Sequence, residues 1–218
     1  LIGHQTTGTL SSADNNTGVG YGALDALTSG DSNVAVGYNA GSSINSGGYN
    51  VAIGRQALLT ATTPNDNVAI GNNALRLNQT GARNIAIGAS SLDGNLASDN
   101  VAVGNNALVA NTTGADNVAV GNNALDANID GASNVAVGRD ALGANIGGSH
   151  NTGLGHTALM SNTTGTFNTA VGREAGRNNT TGGNNNSLGY SSNRKNITGN
   201  YNNAFGYVAL AANTTGTN

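Results

Sequence analysis

Apolar residues recur along this chain as triplets such as Val-Ala-Val and Val-Ala-Ile, preceded by Asn and followed by Gly. With that Asn as position 1, copies of Asn-x-Ala-x-Gly begin at residues 16, 33, 50, 67, 84, 100, 117, 134, 151, 168, 185 and 202. Every step is 17 residues except that from 84 to 100, which is 16. Leu1-Ile2-Gly3 fits positions 3 to 5 of an earlier copy, so about thirteen copies fill a single repetitive domain over residues 1–218. The alternation at positions 2 to 4 has the period of a strand, and Val and Ile suit a pleated surface. Gly and Asn every few residues oppose a helix, and 17 residues are too few for a helical-repeat unit of about 33 to 47.

Two all-β arrangements compete. A hairpin meander would use Asn-Gly turns. Composition alone would give about six Asn-Gly pairs from 38 Asn and 34 Gly, yet none occurs. Parallel coils stacked at roughly 4.8 Å are therefore expected, thirteen of them making a rod on the order of 60 Å long. Stacking in register places each residue over its own copy. The Asn column (Asn16, Asn33, Asn50, Asn67, Asn84, Asn100, Asn117, Asn134, Asn151, Asn168, Asn185, Asn202) can then bond to itself along the axis, because an amide both donates and accepts. A column of like charges would repel. The Gly column (Gly20, Gly37, Gly54, Gly71, Gly88, Gly104, Gly121, Gly138, Gly155, Gly172, Gly189, Gly206) marks a corner that needs positive φ or close backbone approach. The short copy, Asn84 to Asp99, lacks the Thr-Thr-Gly found in fuller copies, which places its deletion at that second corner.

Position 4 is always large and apolar, position 3 is nearly always small, and position 9 is mostly Leu. Large size at position 4 predicts that it faces the coil interior with Leu 9, and that small residues at positions 3 and 8 allow a close approach on the other side. The opposite phase, Ala inward and Val outward, stays open. In either phase a thin coil has one interior, and a second apolar face along its length calls for a partner. Lateral self-association follows, most economically as a three-fold bundle of parallel chains.

Charged residues make up only 9% of the chain, against roughly 25% in ordinary soluble domains. Eight basic residues and a net charge of −3 give no electrostatic footprint for nucleic acid. The absence of Cys removes disulfides, thiolate metal sites and a cysteine nucleophile, and no apolar run reaches the roughly 18 residues of a membrane helix. Position 10 carries Asp25, Arg76, Asp93, Asp126 and Arg177, which breaks the six-residue apolar spacing of hexapeptide acyltransferases. No Asp column matches a calcium-binding roll. His4, His150 and His156 cannot form one metal site or a triad. No catalytic, metal or cofactor-binding residue is therefore expected, and the chain does not read as an enzyme.

The variable columns should face solvent. Position 6 carries Tyr21, Tyr38, Arg55, Arg139, His156, Arg173, Tyr190 and Tyr207, a candidate binding stripe for a glycan or a protein receptor. Its plainer reading is a row of stacked side chains covering the corner beside the Gly column. Position 17 adds Tyr49, Arg83, His150, Phe167 and Tyr201. Position 14 is Thr in seven copies but is interrupted at Ala97, Asp130 and Gly147, which leaves ice or mineral binding as an alternative function.

Stretches such as Asn168-Thr-Ala-Val-Gly172 and Asn100-Val-Ala-Val-Gly-Asn-Asn-Ala-Leu108 resemble the head repeats of YadA-like trimeric autotransporter adhesins, and also the Asn-Thr-Ala-Val-Gly repeats of phage tail-fibre-like proteins. The resemblance spans the whole chain. It implies a left-handed parallel β-roll, a homotrimer, exposure on a cell or virion surface, and a role in attachment. Adhesin head repeats are usually somewhat shorter than 17 residues. A start at Leu1, at repeat position 3, leads us to expect a fragment of a longer fibre.

Overall fold

A computed structural model describes residues 12–217; Leu1, Ile2, Gly3 and His4 of the partial first copy lie outside the described residues. Two compact units divide the chain, residues 1–106 and 107–218. In the first, β1 (Thr17–Val19), β2 (Val34–Val36), β3 (Val51–Ile53), β4 (Val68–Ile70), β5 (Ile85–Ile87) and β6 (Val101–Val103) pair in chain order, all parallel. In the second, β7 (Val118–Val120), β8 (Val135–Val137), β9 (Thr152–Leu154), β10 (Thr169–Val171), β11 (Asn186–Leu188) and β12 (Asn203–Phe205) do the same. Each unit is a parallel β-solenoid with a 17-residue turn, about 11 turns in all. No described residue is helical, so none belongs to a helix long and apolar enough to cross a membrane.

Register is strict: Val118 pairs with Val135, Ala119 with Ala136 and Val120 with Val137. The 16-residue copy keeps it, with Ile85 opposite Val101. Its missing residue comes out of the second corner. Asn84 Nδ2 bonds Ala97 O at 2.9 Å, as Asn67 Nδ2 bonds Gly81 O at 3.1 Å in the turn before, so Ala97 occupies the place of Gly81.

The interior runs along positions 3, 8 and 9. Ala119, Ala124 and Leu125 are buried in one turn, Ala136, Ala141 and Leu142 in the next. Positions 2 and 4 point outward. Val36, Ile53, Ile87, Val137 and Val171 are 36–38% exposed, while the Ala between them is fully buried. This corrects the expectation that position 4 faces the coil interior; Leu 9 does lie inside, but Val and Ile do not. The reason is room. A Cβ placed on Gly153, at position 3, would already sit 3.3 Å from Leu142 Cγ and 3.2 Å from Ala158 O. A methyl group fills that space, and a Val would not fit. Side-chain size at a strand position therefore tracked the outer face, where nothing limits it.

A turn this short closes through repeated left-handed residues. In the turn from Asn117, φ is +137° at Gly121, +54° at Asn123, +53° at Leu125 and +57° at Ser133. At Gly121 glycine is obligatory on two counts. Its φ is one that L residues rarely adopt, and a Cβ there would lie 2.6 Å from Gly138 O. Leu125 accepts its φ at a cost of about 1–2 kcal/mol, offset by about 1.5–3 kcal/mol from burying the side chain.

Two columns of Asn flank the Leu core. At position 1, Asn134 Nδ2 donates to Asn117 Oδ1 at 3.2 Å and to Gly148 O at 2.8 Å, while Asn134 Oδ1 accepts the Asn151 backbone N–H at 2.9 Å. The same set recurs at Asn168 and Asn185. At position 12, Asn128 donates to Asn111 at 2.7 Å, Asn145 to Asn128 at 2.8 Å, and Asn162 to Asn145 at 2.8 Å. These amides are buried, and each one closes backbone groups that the corner would otherwise leave unpaired.

Candidate functional site

The strand ends at the Gly corner, and the next residue, position 6, leaves the sheet toward solvent. Stacking by one turn then dictates what those side chains meet. In the first unit Tyr21 and Tyr38 stack with ring centroids 5.6 Å apart and planes 10° from parallel, and the Arg55 guanidinium lies 6.0 Å from the Tyr38 centroid. In the second unit Arg139 reaches His156 Nε2 at 2.6 Å; arginine only donates, so Nε2 accepts. Arg173 sits 5.7 Å from the centroid of Tyr190, and Tyr190 stacks on Tyr207 at 5.4 Å. The eight stripe residues thus fall into two runs. Tyr21, Tyr38, Arg55, Arg139, Arg173, Tyr190 and Tyr207 are exposed, and His156 is half-buried.

This geometry limits what the stripe can do. Both ring faces of Tyr38 and Tyr190 are taken by the turns on either side, as parallel rings at about 5.5 Å prefer. What remains for a ligand is an edge of phenol hydroxyls and guanidinium N–H groups, suited to hydrogen bonding and charge rather than to stacking. Position 17 behaves alike: His150 and Phe167 stack at 4.8 Å, 6° from parallel.

Charged side chains pair one turn apart. Arg76 forks onto Asp93 at 2.8 and 3.2 Å, and Arg83 onto Asp99 at 2.6 and 2.7 Å. The Arg83 hydrogen bond holds the Asp99 carboxyl below its usual range. In the second unit Gly143 leaves a gap in the position-10 column, a cavity of about 320 Å³ beside Asp126, Asp140 and Met160. Burial pushes the Asp126 carboxyl above its usual value. Among the described residues no three His, Asp or Glu side chains converge as a metal site would need.

The position-14 threonines Thr63, Thr80, Thr113, Thr164, Thr181, Thr198 and Thr215 are exposed. One residue earlier, the hydroxyls of Thr163 and Thr180 bond carbonyls of the next turn, at 3.0 Å each. Compared with protein-family models, with curated proteins and with solved structures, the chain has no match.

The sequence left one feature undecided and hid another. The outward face is the Val and Ile columns, the phase that the alternation of sizes kept open. The position-12 Asn ladder was hidden because its place is apolar in the early turns, where Leu27, Ile44 and Ala61 are buried instead. Its signal was present from Asn78 onward, in Asn at every later position 12.

Proposed function

We propose that this chain is a segment of an extracellular attachment fibre on a cell or virion surface. Copies associate side by side as a parallel homotrimer through the outward Val and Ile columns. The position-6 stripe is left to meet a host glycan or protein receptor. One observation carries the reading: a continuous apolar column faces outward in both units. Position 4 stays apolar in every strand, from Val19 to Phe205, whereas position 2 is polar at Thr17, Thr152, Thr169, Asn186 and Asn203. The position-4 column is therefore the centre of the contact and position 2 its rim. Apolar surface that is contiguous, rather than scattered, marks an interaction face.

The resemblance to trimeric adhesin and tail-fibre repeats supports the three-fold count. Long ladders of buried amides support a mechanical role, since within each unit every turn is bonded to the next by side chains as well as backbone. Multi-angle light scattering of the chain at micromolar concentration tests the association. A mass of three chains is expected; a compact monomer would overturn the proposal.

A further inference from the structure

Charge is unevenly distributed along the sequence. Through residue 140 the chain carries ten carboxylates and four arginines. From residue 141 onward Arg173, Arg177, Arg194 and Lys195 face the single carboxylate of Glu174. The fold gathers these groups on neighbouring turns of the second unit. Arg177 and Arg194 share position 10, and the Asn178 backbone N–H donates to Arg194 O at 3.1 Å. Glu174 is taken by Arg173 at 3.3 Å and Arg194 at 3.2 Å. Arg177 and Lys195 have no ion pair among the described residues. Beside them opens a cavity of about 360 Å³, with Tyr190 as a wall, Arg194 and Lys195 at the rim, and Val208 and Ala211 as an apolar floor.

We infer that this patch binds a linear acidic polysaccharide, with one sugar ring seated over Val208 and Ala211 and its anionic groups on Arg194, Lys195 and Arg177. The inference rests on the attachment reading and names its ligand class. Three observations select a sugar. The two faces of the Tyr190 ring are occupied by Arg173 and Tyr207, so the ring in the cavity wall offers no platform for a nucleic-acid base, which single-strand binders need. Hydroxyl-rich rings match the donors left at the edge, namely the Tyr190 phenol and the guanidinium groups. A pyranose unit is also about as long as the coil spacing of about 4.8 Å. A chain lying along the axis thus meets a fresh donor at each turn, in the order Arg177, Arg194 and Lys195, then Tyr207.

The test is calorimetric titration of the full chain with four probes: oligogalacturonate, heparin-derived oligosaccharide, neutral dextran oligosaccharide and polyglutamate. Binding of one or both acidic sugars, with dextran and polyglutamate far weaker, is expected, and the tighter acidic sugar identifies carboxylate or sulfate as the recognised group. The double variant Arg177→Glu with Lys195→Glu should weaken that binding at least about tenfold, while Leu96→Glu, at an exposed corner of the first unit, leaves it unchanged. Equal binding of polyglutamate, equal binding of dextran, or an unaffected double variant would each overturn the assignment. Light scattering on the same samples separates the two ideas. A trimer that ignores acidic sugars sinks this inference alone, and a monomer that binds them sinks the association alone.

Discussion

Single side chains show where the repeat departs from its own rule. Position 9 is Leu in most turns, but Gly176 and Asn193 replace it in successive turns of the second unit. Asn193 is buried, and its Oδ1 has no hydrogen-bond partner. An unpartnered buried amide costs about 1–3 kcal/mol, and Leu already occupies the same left-handed conformation at Leu142 and Leu159. Asn193→Leu should therefore stabilise the second unit by about 1–3 kcal/mol, read as a higher Tm in thermal denaturation; a lower Tm would mean the amide is satisfied after all. Asp126 supplies a pH-dependent counterpart. Burial raises its folded-state pKa above the ordinary 3.8, so the unfolded chain gives up its proton first. Stability then falls as pH rises from about the ordinary value through the raised one. Asp126→Asn should remove that slope and, the group being half-exposed, add less than about 1 kcal/mol at neutral pH, as denaturant titrations at several pH values would show.

At the scale of the element, three-residue strands are too short to hold a sheet together by themselves, and the Asn ladders supply the rest. Asn134→Ala removes two donors and one acceptor, leaving the Asn151 N–H buried without its partner, while Gly148 O keeps the Asn145 Nδ2 donor. A loss of about 1–3 kcal/mol is expected from stranding that buried group, measured by urea denaturation of the full chain. The ladder at position 1 was legible in the sequence because Asn never varies there, and only self-pairing in register explains an amide column without charge. The corner at Gly20 and its copies was legible for the same reason. The strand phase was not, because Val beside Ala looks like core beside surface. Only the contact of Leu142 with position 3 shows that the interior holds a methyl and no more. Nor could the chain announce that Leu125 and its copies adopt positive φ, a conformation Leu rarely takes.

For the whole molecule, each turn touches only the turns before and after it, so stability within a unit is close to a sum of nearest-neighbour terms. Self-association, by contrast, depends on the outer surface alone. Val120→Asp with Val137→Asp changes outward residues and spares Ala119, Leu125, Ala136 and Leu142. The double variant should keep its β-sheet circular dichroism and lose its higher mass in light scattering, and a retained trimer would place the contact elsewhere. The variant leaves Arg177, Arg194 and Lys195 untouched, so it also shows whether sugar binding needs more than one chain.

The turn from Asn84 to Asp99 runs one residue short, and the strands on either side of the gap do not shift: Ile85 stays opposite Val101, and Asn100 still donates its N–H to Asn84. The sheet register and the Asn100–Asn84 bond thus survive a change of length at that corner. A foreign peptide spliced in beside Leu96 would be carried on the outside without disturbing the stack, which makes this corner a natural graft point for displaying epitopes or tags at a chosen height.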